Sequence, residues 1–150
     1  MAYEISTTIM IAATPENVWA VLTDLASYSQ WHPMYQAAAG HLAAGSTLTI
    51  TSTHPASGRA VTAKVKVLTA EPDTELRWTS KMLGLPISER IFRLSQAGDG
   101  TSLEQAGSYR GIGGSRARNT AKTIARIQES FEAINQAIKQ QAEARQRAAG

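Results

Sequence analysis

The chain has 150 residues, a formal net charge of +3 and no cysteine. This length fits one domain that is large enough to bury a core. The lack of cysteine excludes disulfides and thiolate chemistry, and it is typical of a reducing compartment. The sequence contains neither a window of about 20 apolar residues that could cross a membrane nor a leader of the signal-peptide type. These features predict a single cytoplasmic domain of bacterial type.

The chain opens with an alternating strand, and a short helix is predicted directly after it. Ile5, Ile9 and Ile11 alternate with polar residues, which is typical of a half-buried strand. Thr14 is a good helix N-cap, and Pro15 fits the first helical position because its missing N–H group would have no partner there. The apolar residues that follow recur at helical spacing, so a helix is predicted to begin after Thr14.

The middle of the chain predicts a run of antiparallel strands that are separated by turns. The signal for a strand is weak between Met34 and Leu42. Alternation of apolar and polar residues is clear at 48–50 and 61–67, and it continues through 76–82. The segments between these strands, 54–58 and 71–74, contain proline and small polar residues, which are typical of turns.

The side chains of the last predicted hairpin define its register. With a turn at 97–100, Phe92 faces Gln105, and Arg93 pairs with Glu104 on the outer face. A slip of one residue would bury Arg93 and Glu104, which costs far more free energy. This register places eight residues on the inner face: Ser88, Arg90, Phe92, Leu94, Leu103, Gln105, Gly107 and Tyr109.

A long last helix is predicted from about Ser115 to Gln146, after the glycine-rich segment 111–114. Its apolar residues recur at spacings of three and four, so they form one continuous stripe. A stripe of basic residues lies on nearly the opposite side: Arg118, Lys122 and Arg126. This stripe is expected to be a solvated face, and an anionic partner is the weaker alternative. Nucleic acid is not expected, because interleaved aromatic residues are missing. Residues 147–150 are expected to form a frayed tail.

Three phrases of the sequence resemble the START-like (SRPBCC) superfamily, and in particular its polyketide cyclase/dehydrase-like branch. The first, within residues 11–33, is Ile-Ala-Ala-Thr-Pro-Glu followed by Val-Trp-x-x-Leu-x-Asp and Trp-x-Pro. The others are Glu-Pro-x-x-x-Leu-x-Trp at 71–78, and Phe-x-Leu with Gly-Thr-x-Leu within 92–103. The order of elements and this resemblance predict an α+β helix-grip fold over residues 1–146. In this fold a curved antiparallel sheet wraps a long C-terminal helix, and two short helices follow the first strand.

The resemblance implies a cavity for an apolar ligand between the sheet and the last helix. Small residues precede bulky ones along the inner stripe of that helix, since Ala117 and Ala121 come before Phe131. This order favours a void near the first half of the helix and a gate at 111–114, whereas the alternative is that the first turns pack close to the sheet. The predicted ligand-binding residues are Trp31, Trp78, Arg90, Phe92, Gln105, Tyr109, Ala117, Ala121, Ile124 and Gln128.

Polar residues on the predicted inner face need a partner, because burial without one costs about 1–3 kcal/mol. Two interpretations of Arg90 carry equal weight. In the first, its guanidinium binds a carboxylate or phenolate of a ligand. In the second, its aliphatic part packs at the edge of the sheet and its guanidinium reaches water. Asn135, close to the apolar stripe of the last helix, is expected to form structural hydrogen bonds.

Candidate catalytic residues are few, and the catalytic residues remain unassigned. The three histidines, His32, His41 and His54, have no carboxylate or nucleophile at a telling spacing. No metal-ligand cluster, phosphate loop or dinucleotide motif occurs, so neither a metal nor another cofactor is expected. The predicted function is binding of a small hydrophobic ligand, either a lipid or a polyketide-like molecule. If Arg90 is the anchor, the ligand is expected to have an acidic end. The alternative is a cyclase/dehydratase-like enzyme, for which Arg90, Tyr109 and His32 are candidate acids or anchors and an inward carboxylate base is missing.

Overall fold

Seven strands form one antiparallel sheet within the part of the chain that the computed structural model describes, residues 2–53, 58–82, 85–110 and 117–149. The strands are β1 (Ala2–Ile11), β2 (Tyr35–Gly40), β3 (Thr47–Thr53), β4 (Ala60–Glu71), β5 (Glu75–Met82), β6 (Leu85–Ala97) and β7 (Gly100–Arg110). The α-helices of these residues are α1 (Pro15–Thr23), α2 (Tyr28–Trp31) and α3 (Ala117–Ala149), and a 3₁₀ turn at Leu25–Ser27 joins the first two.

The strands lie in the order β1-β7-β6-β5-β4-β3-β2, so β1 and β2 form the two edges of the sheet. The chain crosses from one edge to the other through the short helices, and α3 packs against β1 and α1. This arrangement confirms the predicted α+β helix-grip fold, including the strand whose sequence signal was weak, which is β2. No helix in the described residues is long and apolar enough to span a membrane.

The helix α1 begins as its sequence predicts. The Thr14 hydroxyl accepts a hydrogen bond from the Asn17 N–H group at 3.3 Å, and Pro15 occupies the first helical position. Leu22 is buried, and its carbonyl accepts a hydrogen bond from the buried Tyr28 hydroxyl. Burial, which disfavours the phenolate, raises the pKa of Tyr28. This bond fastens α2 to α1 and fixes the segment that leads into β2.

The register of the last hairpin is the predicted one. Phe92 pairs with Gln105, and Arg93 pairs with Glu104. On the outer face, Arg93 Nη1 lies 3.2 Å from Glu104 Oε1, and its Nε lies 3.1 Å from Glu75 Oε1. Every second residue of β6 and β7 therefore faces inward. The apolar residues among them belong to the core between the sheet and the helices α1 and α3.

The helix α3 contributes its predicted apolar stripe to the core from its middle onward. Phe131, Ile134 and Ile138 are buried, whereas Ile124 is half-buried. The basic residues Lys122 and Arg126 are exposed, and the side chain of Arg118 lies outside the described residues. The predicted helix start at Ser115 and the glycine-rich segment 111–114 also lie outside them.

The described helix α3 continues to Ala149, three residues beyond the end that the sequence predicts. Hydrogen bonds from the loop after β1 and from the first turn of α1 hold the last turns of this helix. The Ala12 N–H group donates to Glu143 Oε2 at 2.8 Å. The Thr14 N–H group and Asn17 Nδ2 donate to Gln146 Oε1 at 3.0 and 2.7 Å. These partners lie more than 120 residues away in the chain, so no local sequence signal indicates them.

Candidate ligand site

The side chain of Arg90 is directed toward the interior of the protein. Arg90 lies on the inner face of β6, between Trp78 of β5 and Gly107 of β7. Its Nε and Nη1 atoms are buried, and no described residue forms a hydrogen bond with them. The guanidinium carbon lies 4.3 Å from the centre of the Phe131 ring of α3. Of the two interpretations from sequence, the structure thus places the head of Arg90 inside and not in water.

Two phenol groups of the described residues act on this guanidinium. Arg90 Nη2 donates to the Tyr109 hydroxyl at 3.5 Å, and the Tyr35 hydroxyl is also close enough to act on it. Burial alone would lower the pKa of Arg90, but these two phenols outweigh it, so the pKa is raised and the side chain keeps its charge. Within the described residues, no carboxylate forms an ion pair with Arg90. The adjacent Glu89 pairs instead with Arg77 on the outer face, at 3.0 Å.

His32 lies beside this group and is held in its neutral form. Its Nδ1 atom accepts hydrogen bonds from the N–H groups of Met34 and Tyr35, at 3.1 and 2.9 Å. Its ring stacks on the Tyr35 ring, with 4.1 Å between centroids and 5° between planes. Burial, and after it the charge of Arg90, lowers the pKa of His32 to about 3. The ring proton is therefore on Nε2, and Nδ1 is occupied as an acceptor.

A cavity of about 150 Å³ adjoins Arg90 on the inner face of the sheet. Its lining residues are Tyr35, Ile50, Ser52, Ala63, Val65, Trp78, Ser80, Ser88, Glu89, Arg90 and Tyr109. The hydroxyl groups of Ser80 and Ser88 lie 2.8 Å apart and bond to each other. Ile50, Val65 and Trp78 make part of the lining apolar, and Arg90 contributes a positive charge to it. The cavity can therefore hold an apolar group while a hydrogen-bond acceptor meets the guanidinium.

The structure brings three of the predicted ligand-binding residues together at this cavity: Trp78, Arg90 and Tyr109. Phe92 is buried, with its ring centre 5.6 Å from that of Trp78. Gln105 is fully buried, and its Nε2 donates to Asn135 Oδ1 at 3.4 Å, whereas its Oε1 has no partner in the described structure.

The other predicted site residues lie apart from this cavity. Trp31 is half-buried, contacts Tyr28 edge-on at 5.1 Å and lines a groove between α1 and α3. Ala121 and Gln128 are exposed on α3, and Ile124 is half-buried. The side chain of Ala117 lies outside the described residues. Ligand contacts by these residues stay predictions.

Sequence reasoning did not assign the other eight lining residues to the site, among them Tyr35, Ser52 and Ser80. Ser52 and Ser80 could have been found by extending the inward parity of Ile50 and Trp78 along their strands, because inward residues recur every second position. Tyr35 carried no such signal, since it begins the weakly predicted strand β2 at a bulge. Of the other histidines, His41 is exposed and His54 lies outside the described residues.

Comparison with known proteins gives a consistent result. Residues 2–143 match a family model described as polyketide cyclase / dehydrase and lipid transport. No curated protein matches the sequence. A similar solved structure is the Zhui aromatase/cyclase from a Streptomyces species, which is 18% identical with a TM-score of 0.78 over 100% of this chain and 99% of that one.

Two further structures share the fold at low identity. A START superfamily protein from Mycobacterium smegmatis is 18% identical, with a TM-score of 0.72 over 94% of this chain and 97% of that one. The di-domain ARO/CYC StfQ from the steffimycin biosynthetic pathway is 12% identical, with a TM-score of 0.80 over 97% of this chain and 52% of that one. Because the family model matches residues 2–143, the chain belongs to the family described as polyketide cyclase / dehydrase and lipid transport.

Proposed function

We propose that this protein binds a small apolar ligand with an anionic or strongly accepting oxygen group at one end, in the cavity beside Arg90. The observation that carries the proposal is the pair of buried N–H donors, Nε and Nη1, for which the described structure offers no acceptor. A buried donor without a partner costs about 1–3 kcal/mol, and more when it is charged. A ligand oxygen at this position would remove that cost, and an anion would also neutralise the guanidinium.

The apolar residues that line the cavity favour a ligand with an apolar body. Ile50, Val65 and Trp78 are buried residues of three neighbouring strands, and all three line the space next to Arg90. Contact with them favours a ring or short hydrocarbon body over a fully polar molecule. The family description, which names polyketide cyclases, dehydrases and lipid transport, supports a ligand of this kind. The lack of cysteine supports a cytoplasmic setting for this binding.

A cyclase- or dehydratase-like reaction in the same cavity is the second candidate. One observation favours it: the Tyr109 hydroxyl lies 3.5 Å from the charged Arg90, and such a phenol can donate a proton or stabilise a developing negative charge. Against it, His32 Nδ1 is occupied by two N–H donors, so His32 is a poor base. Glu89, the acidic residue in the lining, is already paired with Arg77. Ligand binding therefore remains the favoured proposal.

The experiment compares 2-naphthoate with its neutral methyl ester, which share the same apolar body. Binding is measured by quenching of tryptophan fluorescence or by calorimetry, on the wild type and on Arg90→Met. We expect Arg90→Met to weaken binding of 2-naphthoate by about 10- to 150-fold, the equivalent of about 1.5–3 kcal/mol for hydrogen bonds to a charged group. Binding of the ester should change by less than about threefold, since it carries no charge.

The matched control is Arg93→Met, because Arg93 lies on the same strand but on the outer face, where it pairs with Glu75 and Glu104. This variant should bind both compounds like the wild type. Equal affinity of the wild type and Arg90→Met for 2-naphthoate would contradict the proposal. Native mass spectrometry of the purified protein tests the same point independently, since a retained ligand should carry an acidic or accepting oxygen group.

A further inference from the structure

The start of the edge strand β2 is held by a side chain and not only by its neighbour in the sheet. Tyr35 pairs with Ser52, but a bulge separates this pair from the next one, Ala37 with Thr51. The N–H groups of Met34 and Tyr35 donate to His32 Nδ1. Because an edge strand at a bulge has few ladder hydrogen bonds, its conformation depends on such additional partners.

His32 is itself fixed from three sides. Its N–H group donates to the Tyr28 carbonyl at 2.8 Å and so ends α2. Its ring stacks on Tyr35 at 4.1 Å and lies 5.2 Å from the ring of the buried Tyr28. His32 thus connects the end of α2 with the first residue of β2 through both its backbone and its ring.

The Tyr35 ring lies nearly parallel to the His32 ring, and the hydrogen bond from the Tyr35 N–H group to His32 Nδ1 fixes the backbone that carries the phenol. This phenol lines the cavity and acts on Arg90. The Tyr109 hydroxyl accepts from Nη2 and the Tyr35 hydroxyl acts on the same guanidinium, while Nε and Nη1 have no acceptor among the described residues. The position of Tyr35 therefore affects which N–H groups of Arg90 can bind a ligand.

We infer that His32 is a positioning residue that acts through Tyr35, holding its phenol against Arg90 and thereby setting the preference of the cavity for an anionic ligand. The inference rests on the proposed function, since it concerns the same site. It assigns His32 no proton-transfer role, because two backbone donors occupy Nδ1. It requires an acceptor at the Nδ1 position, which the neutral imidazole supplies when its proton is on Nε2.

Two variants separate the acceptor of His32 from its ring. His32→Asn keeps an oxygen acceptor close to the Nδ1 position but lacks the ring, whereas His32→Phe keeps a flat ring and lacks the acceptor. The readout is the ratio of the affinities for 2-naphthoate and methyl 2-naphthoate. We expect His32→Asn to keep this ratio within about threefold of the wild type. His32→Phe should lower it by about tenfold, which corresponds to one hydrogen bond to the backbone.

The route through Tyr35 is tested by a double-mutant cycle. Tyr35→Phe removes the hydroxyl and should lower the same ratio by about as much as His32→Phe. Combining the two substitutions should bring little further loss, because both act on one contact. Additive losses would contradict the inference, and so would an unchanged ratio in His32→Phe when the wild type prefers 2-naphthoate.

A measurement without ligand keeps the inference testable even where a variant fails to fold. Nitrogen-15 NMR of the wild-type imidazole at neutral pH should show a neutral ring with its proton on Nε2. A proton on Nδ1, or a charged ring, would overturn the inference. The outcome is distinguishable from failure of the proposed function, in which the wild type and Arg90→Met would bind 2-naphthoate equally whatever the state of His32.

Discussion

The guanidinium carbon of Arg90 lies 4.3 Å from the centre of the Phe131 ring, so that strand β6 and helix α3 meet through a cation–π contact. Such a contact stabilises by about 0.5–2 kcal/mol, with the larger values where the pair is shielded from water. It also fixes one face of the guanidinium and leaves its edge for hydrogen bonds. Phe131 thereby links the stability of the helix-grip fold to the geometry of the candidate site.

Truncation of Phe131 measures its part in the core. Phe131→Ala should lower the free energy of unfolding by about 3–5 kcal/mol, because the residue is fully buried and its removal leaves a cavity. Chemical denaturation checks this, with Glu132→Ala, an exposed neighbour on α3, as the control. A loss below about 1 kcal/mol would show that α3 does not pack through this face.

Gly107 provides the space that Phe131 and Tyr109 occupy. A Cβ atom at Gly107 would lie 2.8 Å from Phe131 Cζ and 3.1 Å from the Tyr109 hydroxyl, which is too close for either. Gly107→Ala should therefore destabilise the protein by about 1–3 kcal/mol and reduce its preference for 2-naphthoate, since Tyr109 must move away from Arg90. Denaturation and binding measurements test both effects. Ser108→Ala is the control on the outer face, and a loss equal to that of Gly107→Ala would contradict the argument.

Asn135 connects α3 to both β1 and β7 by hydrogen bonds. Its Nδ2 donates to Thr7 Oγ1 at 2.8 Å, and its Oδ1 accepts from Gln105 Nε2. Asn135→Leu leaves the buried amide of Gln105 without a partner, so it should cost about 1–3 kcal/mol of stability.

The control for Asn135 is Gln136→Leu at the adjacent, exposed position of α3, which should change stability by less than about 0.5 kcal/mol. Adding Gln105→Leu to Asn135→Leu should recover part of the loss, because both partners are then apolar. Thermal unfolding of five proteins measures these differences: the wild type, the single variants Asn135→Leu, Gln105→Leu and Gln136→Leu, and the double variant. A double variant less stable than the sum of the single losses would count against a shared hydrogen bond.

Acid should weaken the protein through His32. Its pKa is lowered from 6.5 to about 3, so below pH 6.5 the unfolded chain binds a proton that the folded chain does not. The stability that the neutral ring provides is therefore complete above pH 6.5, and it is lost as the pH falls toward 3, by up to about 1.4 kcal/mol per pH unit. The pKa values of the neighbouring Arg90 and Tyr28 are both raised, so these two groups do not change charge in this range.

The measurement is the free energy of unfolding of the wild type and of His32→Asn at several pH values from about 7 to about 4. Carboxylates titrate in both proteins, so the difference between the two isolates His32. This difference should shrink as the pH falls. A difference that stays constant over the whole range would show that His32 already carries a proton when folded, or that its ring is open to water.

The local elements of this fold could be predicted from the sequence because short-range physics decides them. The Thr14 cap, the alternation in the strands and the apolar stripe of α3 depend on residues a few positions apart. The pairing of Arg93 with Glu104 could also be predicted, since only one register of a tight hairpin keeps its charges on the outer face.

The composition of the candidate site could be predicted only in part. Arg90 and Tyr109 follow from the parity of the hairpin, but the approach of His32 and Tyr35 to them depends on the order of seven strands and on a bulge at the sheet edge. The hydrogen bonds from the loop after β1 to Gln146 likewise join residues that are distant in the chain. The sequence by itself determined which side chains of the last hairpin face inward, because alternation along a strand is a local property. Only the tertiary structure decided which of them meet, because that depends on long-range packing between elements whose sequences do not encode each other's position.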